Sequence, residues 1–490
     1  MSTPVGKRAL VALTTPVVGL PRRALPLIAV FTQSIAAVAP SGAAAVIPML
    51  VLSTTGGAGA VAAFAAAAVV VVLVSACLRP MAQRMAAVGG LYTYTARGLG
   101  AGVALPTGWS ALIGYGAVSM AGLVAVGTYL SNIVVAVGLI PDSPTAMIVG
   151  LAVVAGAIAT IVMLRGIRVS ALITLLVECV SLTLLGLLLT ILWLGVPHDA
   201  SSVSAVMTWH ASPRTMAIGI VVAISAYVGF ESSTTLSGEA RQPFQSVPRT
   251  LRWTPILAAG AYLIAVPVQA LALADAPAAV RDSSTPLVAL LAAQDSQGLA
   301  AMLDFCIAAS FFACTLASAN ALVRVLFSMG REGVVPSLLG RTHPRFKTPA
   351  PAITAAMLVV TTVPVGALLL GLSPDEGLRA FLTLSACGYL GTYLAGCIAT
   401  PALLRRIGEL TPGILILSAF TTCLLVALTG AAFFVAIRER APVLITYLGL
   451  IGIAVAYTLL LKRFAPQRLE SVGVYDETQR ADLLSAVPFR

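Results

Sequence analysis

The chain has 490 residues, of which 59% are hydrophobic and only 10% are charged. Soluble globular proteins carry about 25% charged residues, so this composition excludes a soluble domain and implies a polytopic membrane protein. The net charge of +11 comes from short basic clusters between apolar runs, which read as topology signals and anionic-lipid contacts; no basic patch on a folded soluble face supports a nucleic-acid partner.

Residues 1–24 read as a cytoplasmic amino-terminal tail with Lys7, Arg8, Arg22 and Arg23, and contain no signal-peptide core. A spanning helix needs about 20 mostly apolar residues. Such runs fall at about 27–52, 57–78, 101–131, 145–164, 170–194, 215–238, 254–274, 297–326, 350–371, 378–402, 412–435 and 442–461, which predicts an all-α protein of twelve spans. Alternate gaps carry the basic residues, from Arg79, Arg84 and Arg97 through Arg241, Arg249 and Arg252 to Lys462, Arg463 and Arg468. The other gaps are poorer and mixed, with residues such as Asp142, His198, Asp199, Asp275, Asp282, Glu439 and Arg440. This alternation predicts both termini in the cytoplasm, followed at 466–490 by a short polar tail.

The middle of the first span reads Ala39-Pro40-Ser41-Gly42-Ala43, where a proline without a backbone donor beside a glycine invites a helix break or a simple kink. In the third region, Gly89-Gly90-Leu91-Tyr92-Thr93-Tyr94 permits a tight turn or close approach, with the tyrosines as candidate interface anchors. The small residues from Gly114 to Gly122 mark a bundle-interior helix. The fifth span holds Glu178, read either as functional or as a hydrogen-bonded structural glutamate. The sixth span carries Gly229-Phe230-Glu231 and then four hydroxyl residues, placing a second carboxyl near the membrane midplane. Two interrupted spans five apart form the pattern of an inverted repeat with discontinuous helices 1 and 6 at a central site. Asp304 lies in the outer half of the eighth span, at or near the interface, and residues around Leu287–Leu291 suggest a short surface helix. Arg331-Glu332-Gly333 reads as a helix end leading into an ordered loop. The seven cysteines lie in or beside apolar runs without CxxC spacing and read as buried thiols.

The three histidines, His198, His210 and His343, all fall in loops, and no nucleophile–base set, metal set, P-loop or potassium-filter sequence is present. The sequence therefore gives no sign of an enzyme, a cofactor or a built-in ATPase. A channel or receptor fits the paired breaks less well than a carrier does.

Three stretches carry a resemblance to the amino acid–polyamine–organocation (APC) superfamily of secondary transporters, over about residues 25 to 465. They are Gly229-Phe230-Glu231 with Gly238-Glu239-Ala240-Arg241-Gln242-Pro243, the Gly-Gly-x-Tyr-x-Tyr run from Gly89, and the stretch from Arg331 to Pro349. The resemblance implies a LeuT-like five-plus-five inverted repeat, with repeats at about 27–194 and 215–402 and accessory helices at about 412–461. It also implies a substrate site between the broken helices, and uptake of amino acids or related amines by proton coupling or exchange. The chain departs from the family's usual Gly-Ser-Gly-like first break and has no lysine inside any span.

On this footing the leading expectation is proton-coupled amino acid import. The substrate carboxylate would meet N–H groups at Ala39, Pro40, Ser41, Gly42 and Ala43, with the Ser41 hydroxyl assisting. The ammonium would meet carbonyls of Ala226, Tyr227, Val228, Gly229 and Phe230, with Phe230 as inner gate. Ser119, Met120, Ser310, Phe311, Cys314 and Ser385 would line the side-chain space, and Glu231 or Glu178 would carry the proton. The rival expectation is a polyamine or other small amine, with the same glutamates as counter-charges. Glu231 as a mere partner of neighbouring hydroxyls is the bland alternative.

Overall fold

The structure, a computed structural model, describes residues 19–138, 144–195, 204, 206–207, 209–274, 276–281, 285–293, 296–438, 442–474 and 476. Most of both predicted tails, and Asp142, His198, Asp199, Asp275, Asp282, Glu439 and Arg440 in the predicted outer gaps, lie outside the described residues. The long helices are α1 (Leu27–Val38), α2 (Pro40–Ala82), α3 (Leu91–Leu99), α4 (Ala101–Ala136), α5 (Thr145–Arg165), α6 (Ile167–Gly195) and α7 (Pro213–Ser225). They continue with α8 (Pro243–Ala274), α9 (Gln297–Arg331), α10 (Ala350–Leu369), α11 (Pro374–Arg406), α12 (Pro412–Arg438) and α13 (Pro442–Phe464).

Among the described residues, eleven helical segments are long and apolar enough to cross a membrane. The first of them, Leu27–Ala82, runs for 56 residues. At about 1.5 Å per residue it is far longer than a hydrocarbon core of about 30 Å. It holds the first two predicted spans, and Gly56 (φ 75°, ψ 176°) lies between them.

The inside–outside pattern of α6 shows why these sequences sort as they do. Ser170, Thr174, Glu178 and Ser181 are buried along one stripe, while Leu172, Leu176, Val180 and Leu187 point outward. In a bilayer the polar side chains must find partners inside the bundle, so the stripe faces inward. Small residues do the equivalent work on α4. A Cβ on Gly388 of α11 would lie 2.7 Å from the Gly114 Cα, so the two backbones touch there. Ser110 donates to the Gly388 carbonyl at 2.7 Å and Ser385 to the Gly114 carbonyl at 2.9 Å, which pins the crossing.

Several expectations change. Tyr92 and Tyr94 are fully buried rather than at an interface, because α3 is packed inside the bundle and joined to α4 through Gly100 (φ 89°). Asp304 is buried, not interfacial. The short helix Pro286–Ala293 exists, but Leu287, Leu290 and Leu291 are buried against the body. Cys179 and Cys423 are exposed on the outer faces of their helices, so the cysteines are not uniformly internal.

Candidate functional site

Two helix breaks meet at the centre of the bundle. α1 stops at Val38, Ala39 turns left-handed (φ 51°, ψ 56°), and Pro40 opens α2. Proline suits that first position, since its missing N–H would be without an intrahelical partner anyway. The second break follows α7: residues 226–229 turn, and a 3-10 helix runs from Phe230 to Leu236. Gly229 has φ 97°, and a Cβ on it would lie 2.8 Å from the Ala37 carbonyl oxygen. Glycine is needed there for both conformation and close approach.

The breaks are stitched together. Ser34 donates to the Phe230 carbonyl, and Ser232 donates to the Gln33 carbonyl at 3.2 Å. Gln33 donates to the Ala317 carbonyl at 2.6 Å, and the Cys314 thiol to the Ala37 carbonyl at 3.3 Å, tying the end of α1 to α9. On the other side, Tyr262 donates to the Ala226 carbonyl at 2.6 Å, and its ring stacks edge-on against Tyr227 at 4.8 Å.

Glu231 lies in the first turn of the 3-10 helix and is buried. Its two oxygens accept from Tyr115 at 2.8 Å and from Tyr393 at 2.5 Å. Tyr389 packs edge-on to Tyr115 at 5.3 Å, and Phe230 lies 5.3 Å from Tyr393. The result is a carboxyl group held in an aromatic box. Such a box suits an organic ammonium, through charge pairing and through attraction of the cation to the ring faces.

Glu178 is buried at the start of α2. Ser41 Oγ donates to it at 2.9 Å, the Ser41 backbone also hydrogen-bonds it, and Ser310 Oγ reaches it at 3.2 Å. Ser310 in turn accepts from the Gly42 N–H at 3.0 Å, and the Ala43 N–H goes to the Ala39 carbonyl at 2.8 Å. A helix amino terminus favours a negative group, and here the protein supplies that group itself.

This differs from the expected use of the first break. The donors from Ser41 to Ala43, assigned from sequence to a substrate carboxylate, are taken up by Glu178, Ser310 and Ala39. The carbonyls of Ala226, Gly229 and Phe230, assigned to the ammonium, accept from Tyr262, the Ser232 N–H and Ser34. Neither Glu178 nor Glu231 forms an ion pair among the described residues; their side-chain partners are neutral hydroxyls.

The remaining predicted residues divide. Phe311 lies against the first break, 3.1 Å from where a Cβ on Gly42 would sit. Cys314 ties α9 to α1, and Val228 is buried in the second break. Ser119 bonds back to its own helix at Tyr115, Met120 is half-buried, and the Ser385 hydroxyl serves the α4–α11 crossing. The residues that sequence reasoning missed are Tyr393 and Tyr389, along with Tyr115 as a partner of Glu231. Tyr389 and Tyr393 are four apart on α11 and so share one face, a signal present in the chain but silent about what that face meets.

Residues 25–456 match the family described as amino acid permease. The chain is 24% identical over 277 residues to the low-affinity putrescine importer PlaP of Escherichia coli, covering 55% of this chain and 59% of that protein. It is 26% identical over 314 residues to an uncharacterized transporter of Mycobacterium tuberculosis, covering 64% of this chain and 65% of the relative. The match in each case spans less than two thirds of the relative's length.

Proposed function

The chain belongs to the amino acid permease family, and from that premise we propose that it is a secondary transporter of a small organic diamine. The observation that carries this reading is Glu178, seated on the start of α2 where the carboxylate of an amino acid would have to go. With that place filled, a second carboxylate would find no free donor among Ser41, Gly42 and Ala43. An amine lacking a carboxylate meets two acids instead, Glu231 in its aromatic box and Glu178 across the break. The printed name of the Escherichia coli relative, a putrescine importer, describes a substrate of this kind.

In this reading Glu231 and Glu178 are the counter-charges for the two ammonium groups. The ring of Phe230 is the inner gate, packed on Tyr393. The fold is the twelve-span, five-plus-five inverted repeat, with Gly56 separating the first two spans and both termini in the cytoplasm. A doubly charged substrate entering a negative interior gains about 4.6 kcal/mol per 100 mV, twice the value for one charge. Proton symport through Glu231 is then not required for accumulation, whereas a net-neutral zwitterionic amino acid gains nothing from the potential and needs a coupled ion or an exchanged counter-substrate.

Reconstituted vesicles with an imposed inside-negative potential test this. Labelled 1,4-diaminobutane should enter, 1,5-diaminopentane should compete, and ornithine and lysine at tenfold excess should not. Ornithine or lysine uptake that the diamines fail to block would overturn the diamine reading in favour of an amino acid substrate. Glu178→Gly sharpens the test, because it frees the α2 start: diamine uptake should fall and competition by the matching amino acids should appear.

A further inference from the structure

The basic face of the bundle holds an assembly that the substrate site does not use. The segment leading into α1 is bound to the loop that follows the sixth-span break. Ala24 and Leu25 donate to the Glu239 carbonyl at 2.7 and 2.8 Å, Arg241 N–H returns to the Leu25 carbonyl at 2.9 Å, and Arg23 reaches the Ser237 carbonyl at 3.1 Å. Beneath them Arg324 of α9 pairs with Glu239 at 2.7 Å, both buried. α1 cannot part from this loop without breaking these bonds.

A second strap crosses the same place. After α13 the chain turns back, and residues 471–474 and 476 lie on the bundle. Gly473 and Val474 donate their N–H groups to Glu332 Oε1 at 2.9 and 3.1 Å, and Ser471 donates to the Glu332 carbonyl at 2.7 Å. Tyr92 of α3 holds the other Glu332 oxygen. Gly473 has φ 89°, and a Cβ on it would lie 2.7 Å from the Ala96 Cβ, so the strap sits directly on α3. Two residues beyond Val474, the Asp476 N–H donates to the Ala86 carbonyl at 3.0 Å. Its carboxylate, 4% exposed, accepts from both Arg22 Nε and Arg23 Nη2 at 2.9 Å.

We propose that residues 471–474 together with Asp476 form a latch: the anchor on Glu332 and Ala86 and the Asp476 hook on Arg22 and Arg23 hold α1 closed against the sixth-span loop on the basic face. The anchored end rests on α3 and on the end of α9. The hooked end is the two arginines just ahead of α1. Pulling Asp476 away leaves those arginines without their shared carboxylate and removes the strap that ties the base of α1 to α3. The latch therefore raises the free energy of opening on this face whatever the substrate is.

Hydrogen exchange on the full chain in lipid nanodiscs tests the latch without needing a substrate. In Asp476→Asn, the amides of Ala24, Leu25 and Arg241 should exchange about tenfold faster, while those in the middle of α4 stay unchanged. Asp476→Glu, which keeps a carboxylate for both arginines, should retain most of the protection. Unchanged exchange at the three amides in Asp476→Asn would overturn the proposal. So would a rise spread equally over α4, which would make the segment a general support of the fold. An Asp476→Glu chain no better protected than Asp476→Asn would also overturn it, because the ion pair would then not be the hook.

Discussion

Two pairs of buried carboxyl groups in this molecule are treated in opposite ways. On the basic face Glu239 is paired with Arg324, and Asp476 with Arg22 and Arg23, each within 2.9 Å of a guanidinium. At the centre Glu178 and Glu231 are equally buried, yet hydroxyls of Ser41, Ser310, Tyr115 and Tyr393 are the side chains that meet them. A buried charge paired with arginine is finished chemistry: it fixes a contact and has no further use for a cation. Glu178 and Glu231, held by neutral hydroxyls, have no cationic side chain as partner among the described residues. The first arrangement suits a closure, and the second suits a binding site that a cation must enter and leave.

Breaking the Arg324–Glu239 pair should therefore hurt the fold, while changing a central carboxyl should hurt transport. The largest effect is expected at the α9 pair. Arg324→Met leaves Glu239 buried without its guanidinium and should cost about 3–5 kcal/mol of stability. Melting of the purified protein followed by size-exclusion chromatography would read this, and adding Glu239→Gln to Arg324→Met should recover part of it. Equal melting of Arg324→Met and the unsubstituted chain would remove the pair from the closure.

Glu231→Gln comes next. The amide keeps the shape and can still accept from one tyrosine, so the melting temperature should move little. Loss of the counter-charge should lower diamine uptake about a hundredfold, the scale set by removing one member of a desolvated charge pair. Uptake within a factor of three of the unsubstituted protein would make Glu231 a structural group after all. Tyr393→Phe is gentler. It deletes one hydroxyl donor to Glu231 and keeps the ring beside Phe230, so uptake should fall about tenfold, in line with losing one hydrogen bond to a charged group. A Tyr393→Phe carrier with unaltered uptake would show that the box acts through its rings alone.

The contrast between the regions also explains what could be read in advance. Both breaks were legible because they are local: Pro40 cannot complete a helix and Gly229 is free to adopt positive φ. The depth of Glu231 followed from the apolar run around it. Its partners did not, since Tyr393 lies 162 residues further along the chain and α11 periodicity indicates a face without indicating what packs there. Glu178 was visible as a costly inward residue, but its seat on Ser41, 137 residues earlier, is a fact of helix packing. That seat shifts the reading from an amino acid toward an amine. The strap was the least legible: Asp476 follows the last apolar run in a polar stretch, and nothing local ties it to Arg22, 454 residues away.

The smallest effect tests the closure from the side of pH. Burial lifts Glu332 to about 7 from an ordinary 4.5, against the opposing pull of the Tyr92 hydroxyl, the Gly473 and Val474 amides and the positive charge of Arg97. In the latched state Glu332 thus holds its proton more tightly than it would in an opened state that let water reach the group. The state with the higher value is favoured by added protons, so the latch is strongest at low pH and weakens as pH rises through about 7. Between pH 6.5 and 7.5 the protection of the Gly473 and Val474 amides, after correction for intrinsic exchange, should fall about threefold. Glu332→Gln keeps an oxygen for both amides and has no proton to lose, so its protection should be flat across that range. If protection in the unsubstituted chain instead rose with pH, Glu332 would be anchoring the strap as a charge, and the contrast between neutral-held and paired carboxyls would extend only to the membrane interior.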